Sequence, residues 1–122
     1  MRVMVIVKAT KNSEAGEMPG EALLAAMGKY NEELVKAGIM LDGDGLRPSS
    51  QGKRIKFSGG KRTVVDGPFA ETKEVLGGFN LIEADSLDEA VAIAAKFPWA
   101  ATGCVEVRPV RDMDAVRARV GA

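Results

Sequence analysis

The chain has 122 residues, of which 46% are apolar and only 5% aromatic, so we expect an aliphatic, alanine-rich core. Seventeen basic and 17 acidic residues give zero net charge, which argues against a nucleic-acid partner. A single cysteine excludes an internal disulfide, and the absence of histidine excludes Ser-His, Cys-His and His-metal chemistry. We predict one domain over residues 1–122, without a membrane span and cytoplasmic.

The first half of the chain alternates strand and helix signals. Residues 2–8 form a short apolar run, which is typical of a buried strand, and the polar residues 10–20 predict a loop. Within residues 21–37 apolar side chains recur at spacings of three and four, which predicts a helix with one apolar face. Residues 39–41 predict a short extension or strand before a glycine-rich loop that ends at Gly52.

The second half begins with a hairpin signature, because two strand-like runs flank Gly59-Gly60. Ser86 and Glu89 form a capping box that predicts the start of a helix. The apolar stripe of this helix is Leu87, Ala90, Val91, Ala94 and Phe97. The remaining predicted elements are a strand over residues 78–84, a strand over residues 104–110 and a short final helix capped by Asp112.

This order of elements predicts an α+β fold with the ferredoxin-like split βαβ arrangement, in which two helices cover one face of an antiparallel sheet. The first strand is apolar on both faces, with Val3 and Val5 on one and Met4 and Ile6 on the other. A second apolar face needs a cover, and an identical sheet from a second subunit would supply it. We therefore expect a homodimer whose sheets pack face to face and enclose a cavity.

The segment between the hairpin and the next strand is the best site candidate. A β-branched run leads into the turn signal Asp66-Gly67-Pro68-Phe69, and the ionisable Glu71, Lys73 and Glu74 follow. Charged groups on a defined loop between two strands are typical of binding and catalytic sites. In the alternative interpretation Asp66 only bonds local backbone amides and Phe69 fills the core. Both interpretations stay open at this point.

Arg108 is a second candidate, since a guanidinium at a poorly exposed strand position needs an anionic partner. Glu106 on the same strand face, Asp66 or a ligand carboxylate would serve. The segment Asp42-Gly43-Asp44-Gly45 suggests a calcium loop but lacks the third oxygen ligand and the final Glu. We predict no metal and no cofactor.

Residues 66–74 and 77–79 (DGPFAETKE and GGF) resemble the DGPF branch of the YCII-related family, with further support from residues 45–50 and 106–110. The resemblance implies a ferredoxin-like fold and a dimeric α/β barrel. Some relatives resemble small lyases or dehalogenases of ring-derived lactones, and the wider family has an Asp–His pair suspected of catalysis. That pair cannot operate in a chain without histidine. The resemblance also suggests association with an extracytoplasmic-function sigma factor.

We predict a homodimer that binds a small molecule, with two functional readings. In the first, the protein is a cofactor-free lyase or isomerase that uses carboxylate proton transfer on an anionic substrate. In the second, it is a non-catalytic accessory or regulatory protein associated with a sigma factor. The catalytic candidates are Asp66 and Glu71, and the substrate-binding candidates are Arg108, Lys73, Phe69 and Arg47.

Overall fold

The computed structural model describes residues 1–16, 20–69, 75–98 and 104–120, which contain both strands and helices. In chain order the elements are β1 Arg2–Lys8, α1 Lys11–Glu14, α2 Glu21–Lys36, β2 Met40–Gly45, β3 Lys53–Ser58, β4 Lys61–Asp66, β5 Leu76–Glu83, α3 Leu87–Ala95, β6 Val105–Pro109 and α4 Met113–Val120. A short 3-10 turn covers Ser49–Gln51.

The main sheet has the strand order β2-β5-β1-β6, and every neighbouring pair is antiparallel. Because β5 lies between β1 and β2, the unit made by β1, α2 and β2 is a split βαβ unit. This confirms the predicted α+β fold with a ferredoxin-like antiparallel sheet. Strands β3 and β4 pair with each other in a separate two-stranded sheet, turned by Gly59 and Gly60, both with positive φ.

The core lies between one face of the main sheet and helices α2 and α3. It contains Val3, Val5, Leu34, Ile82, Ala84, Ala90, Ala94 and Phe97. Tyr30 joins the two helices, since its hydroxyl donates a 2.8 Å hydrogen bond to the Ile93 carbonyl and its ring meets Phe97 edge-on. Burial, and to a lesser extent the charge of Glu33, raises the pKa of Tyr30, which keeps this hydroxyl protonated and able to donate.

The opposite side of the main sheet, here called the open sheet face, carries a half-buried apolar centre. The strand register places Met4, Ile6, Phe79 and Leu81 together on this face. The exposed Asp42 and Asp44 flank the centre on β2, and Glu106 and Arg108 flank it on β6. Helices α2 and α3 pack on the other face, so the second apolar face predicted from the first strand is present.

Strand β2 corrects the prediction of a loop after residue 41, because it continues to Gly45. Gly43 makes this pairing possible, since a Cβ at that position would lie 2.6 Å from Oδ1 of the buried Asn80. The expected loop at residues 10–20 also holds helix α1, which is capped by reciprocal hydrogen bonds between Thr10 and Ser13.

Helix α3 begins where predicted, and the Ser86 hydroxyl accepts a 3.1 Å hydrogen bond from the Glu89 amide, which is the Ser86 half of the predicted capping box. The predicted apolar stripe is only partly buried, because Ala90 and Ala94 face the sheet whereas Leu87 and Val91 are exposed. The buried face of α3 therefore contains fewer of the apolar side chains than the spacing predicted. No helix in the described part of the chain has the length and apolar character needed to cross a membrane.

Candidate ligand-binding cleft

A cleft of about 510 Å³ lies where the segment after β2 meets the base of the β3–β4 hairpin and the start of β5. Its apolar walls come from Leu46, Pro48, Phe69, Val75 and Leu76. Arg47 and Arg54 also line it, together with Ser49, Gln51 and Gly52. The volume is in the range of small-molecule sites, which are mostly apolar with a few placed polar groups.

Ser49 is the buried centre of this site. The Glu14 carboxylate accepts a 2.9 Å hydrogen bond from the Ser49 amide and a second, short one from the Ser49 hydroxyl. The same hydroxyl oxygen accepts a 3.1 Å hydrogen bond from the Phe69 amide. Helix α1, the 3-10 turn and the residues after β4 are thus joined through one side chain. Because this buried hydroxyl both donates and accepts a hydrogen bond, it holds the neighbouring segments in fixed positions.

Gly67 brings the turn after β4 onto this centre. Its amide donates a 3.0 Å hydrogen bond to the Gly52 carbonyl, and the peptide bond to Pro68 is cis. A Cβ on Gly67 would overlap the Ser49 carbonyl oxygen and lie 2.6 Å from its carbonyl carbon. Only a residue without a side chain allows the two backbones to approach this closely. Phe69 is consequently placed in the cleft wall.

The two arginines give the cleft a cationic character. The Arg54 guanidinium carbon lies 3.9 Å from the Phe69 ring centroid, which is a cation–π contact. Arg47 lies on the more exposed side and donates a 3.4 Å hydrogen bond to the Gln51 side chain. An arginine beside apolar side chains suits an anion that has an apolar body.

Asp66 lies outside the described lining of the cleft, at the end of β4. Its carboxylate bonds the ammonium group of Lys53, the opposite residue on β3, at 2.6 Å. The Asp66 side chain is 75% exposed. In the single chain Asp66 therefore forms a solvated cross-strand ion pair.

Arg108 lies on β6, and its guanidinium is 3.8 Å from the Glu106 carboxylate. Of the three partners expected for Arg108, the structure shows Glu106. Its side chain is 70% exposed, which corrects the expectation of a poorly exposed position. Arg108 does not belong to the described cleft lining, so one chain does not bring Asp66 and Arg108 together there. The candidates Glu71 and Lys73 lie outside the described residues.

The sequence comparison decides the family. Residues 1–114 match the model of the YCII-related domain. This chain belongs to the YCII-related family. A relative that is 39% identical over 92 residues is the uncharacterized protein R00369 of Rhizobium meliloti (strain 1021), and the match covers 74% of each chain.

A solved structure shares the fold of this YCII-related chain. It is 5-chloro-2-hydroxyhydroquinone dehydrochlorinase (TftG) from Burkholderia phenoliruptrix AC1100, in complex with 2,5-dihydroxybenzoquinone. The TM-score is 0.51 at 20% identity, and the match covers 91% of this chain and 94% of the other. At this identity the likeness shows the fold alone.

Of the predicted site residues, the structure brings Arg47 and Phe69 of this YCII-related chain into one cleft. Sequence reasoning missed Glu14, Ser49 and Arg54. Arg54 was recognisable only as a hairpin position, and its inward direction depends on how the hairpin is attached. Glu14 and Ser49 are 35 residues apart, and no spacing rule relates them. Within the described residues no three Cys, Asp or Glu side chains form a metal-binding group.

Proposed function

We propose that this protein binds a small anionic molecule with an apolar body in the cleft between Arg47 and Phe69. The observation that carries the proposal is a cleft in which Arg47 lies beside the apolar side chains Leu46, Pro48, Phe69 and Leu76. In such surroundings a guanidinium–carboxylate contact is strengthened by charge and directed by its fork geometry.

The Arg54–Phe69 contact supports the ligand's expected shape. The Arg54 guanidinium carbon lies 3.9 Å from the centroid of the Phe69 ring, so this cation–π contact places a positive charge beside an aromatic wall. A flat ligand lying on Leu46, Pro48 or Leu76 would bury its ring there and direct its anionic group to an arginine. A ring carboxylate meets both requirements.

If the protein is an enzyme, we propose cofactor-free lyase or isomerase chemistry on this anion. The arginines would stabilise negative charge that develops on the substrate, and a carboxylate would transfer the proton. Asp66 and Glu71 remain the proposed proton carriers. The likeness of fold to a dehydrochlorinase supports chemistry on ring compounds as the class to test first. Membership of the DGPF branch and the accessory role beside a sigma factor stay predictions.

The test is calorimetric titration with benzoate as the probe, benzyl alcohol as its neutral counterpart and 2,5-dihydroxybenzoquinone as a second ring probe. We expect benzoate to bind, and benzyl alcohol to bind at least about tenfold more weakly because it lacks the charge. Arg47→Gln and Arg54→Gln should each weaken benzoate binding about tenfold.

Arg117→Gln on α4 is the matched control, since Arg117 is exposed and lies 3.7 Å from Asp114, outside the described cleft lining. It should leave benzoate binding unchanged. Equal affinity for benzoate and benzyl alcohol, or full benzoate binding by the Arg47→Gln/Arg54→Gln double variant, would contradict the anion site.

We also propose that the functional unit is a homodimer in which a second copy covers the open sheet face. The support is the half-buried centre made by Met4, Ile6, Phe79 and Leu81 on the side away from α2 and α3.

A further inference from the structure

The hairpin of β3 and β4, here called the arm, is joined to the rest of the molecule only at its base within the described residues. Its strands pair with each other and form no ladder with the main sheet. A two-stranded hairpin is at best marginally stable alone in water, and a packed face is what normally stabilises it. We therefore expect the arm to be stabilised by packing one of its faces against another surface.

One face of the arm is apolar and exposed. The register places Ile55 opposite Val64 and Phe57 opposite Arg62, so the three apolar side chains share this face. They are 56%, 58% and 72% exposed for Ile55, Val64 and Phe57. Three large apolar side chains side by side, on a chain with only 5% aromatic residues, mark a contact surface.

The charge of the arm restricts what covers it. Arg62 borders the apolar side chains on this face, and Lys53 and Asp66 lie farther along the same face as an ion pair, whereas Arg54, Lys56 and Lys61 lie on the opposite face. The covering surface must therefore combine apolar side chains with carboxylates.

This chain carries a surface of the required kind on the β2 side of its open sheet face. Asp42 and Asp44 lie beside Leu81 and Phe79 in the strand register. Both aspartates are exposed, and both apolar side chains are half-buried. This surface combines apolar side chains with acidic groups, whereas the arm combines apolar side chains with basic groups. The two surfaces are therefore complementary.

We propose that the arm of one copy packs its Ile55, Phe57 and Val64 face on the β2–β5 part of the open sheet face of a second copy. Arg62, opposite Phe57 on the arm, then meets the partner's Asp44. Each copy carries both an arm and an open sheet face. A closed two-fold dimer therefore contains the same contact twice, and both arms are covered. The contact is independent of the ligand proposed for the cleft.

A charge-reversal cycle tests the contact. Arg62→Glu and Asp44→Arg should each raise the dimer dissociation constant by at least about tenfold, because each places like charges together. The double variant restores opposite charges and should return to within about threefold of the native constant. Lys29→Glu on the exposed side of α2 is the control and should change nothing. Sedimentation equilibrium provides the constants.

Disulfide cross-linking is the second test, in a Cys104→Ser background. Phe57→Cys and Leu81→Cys proteins, mixed and oxidised, should give a covalent dimer that contains one chain of each. Val35→Cys, exposed on α2, should not cross-link with Leu81→Cys.

Two results would overturn the proposed contact. A dimer whose constant is unchanged by either reversal, or not restored by the double variant, has another interface and overturns the arm contact alone. A native protein that stays monomeric overturns both the arm contact and the proposed dimer, and leaves the arm to an acidic partner of another kind. Neither result bears on benzoate binding in the cleft.

Discussion

Gly67 shows how one residue without a side chain positions the cleft. Its Cα lies against the Ser49 carbonyl group, so a methyl group there has no room unless the two backbones separate. We predict that Gly67→Ala lowers the free energy of unfolding by about 2 kcal/mol or more, the cost of overpacking a close backbone contact. Urea denaturation followed by circular dichroism measures this change.

Gly28→Ala is the matched control for the same chemical change. Gly28 lies inside α2, and a Cβ there would meet nothing within 4 Å. Alanine should raise the free energy of unfolding by about 0.5–1 kcal/mol, because glycine is the poorer helix former. A Gly67→Ala protein as stable as the native one would show that the turn rests on Ser49 less closely than described.

Asp66 precedes Gly67 and gives a prediction of the opposite kind. Its carboxylate is mostly exposed and pairs with Lys53, and exposed ion pairs contribute about 0.2–1 kcal/mol. Asp66→Asn should therefore cost the fold no more than about 1 kcal/mol in a thermal melt. Benzoate binding in the cleft should stay the same, since Asp66 lies outside the described lining and pairs with Lys53. A steep loss of benzoate binding would instead place Asp66 in the cleft, whereas a loss of turnover with binding kept is what the proposed proton transfer by Asp66 predicts.

At the scale of elements, hydrophobic periodicity and turn residues predicted most of the fold. The run at residues 2–8 became β1, and the glycine pair between β3 and β4 became the hairpin turn. The end of β2 was missed because Asp and Gly are depleted in strands, so Asp42 to Gly45 resembles a loop. That segment is a strand because Gly43 leaves room for Asn80 on the neighbouring strand. A tertiary contact overrides local propensity here.

Helix α3 and the cleft show the same limit. Apolar spacing put Leu87 and Val91 on the buried face, yet the small Ala90 and Ala94 make the close contact. The spacing of apolar residues predicts which side of a helix is apolar, but it does not predict which residues on that side contact the sheet. In the cleft, Arg47 and Phe69 were identified by their motifs. Glu14 belongs to the site only because α1 and the 3-10 turn meet in space.

At the scale of the whole molecule, the open sheet face gives the last prediction. Met4 lies at the centre of this face, and the register places it opposite Arg108 on β6. In a single chain Met4→Glu sets a carboxylate beside a guanidinium on a face that reaches water, so the fold should tolerate it. In a dimer that covers this face the same carboxylate would be desolvated, at a cost of several kcal/mol. We therefore expect the native protein to be dimeric at micromolar concentration and Met4→Glu to be monomeric with a native circular dichroism spectrum.

Met4→Leu is the control, because it keeps the volume and the apolar character of the side chain and should keep the dimer. Light scattering gives the mass of all three proteins at matched concentrations. If Met4→Glu is monomeric and Met4→Leu is dimeric, the charge of the new side chain breaks the dimer and not its change of shape. A native circular dichroism spectrum of Met4→Glu shows that the fold is kept when the dimer is lost. A dimer of equal affinity in Met4→Glu would place the interface elsewhere on the molecule. The apolar centre of the sheet would then have to be covered within the chain itself.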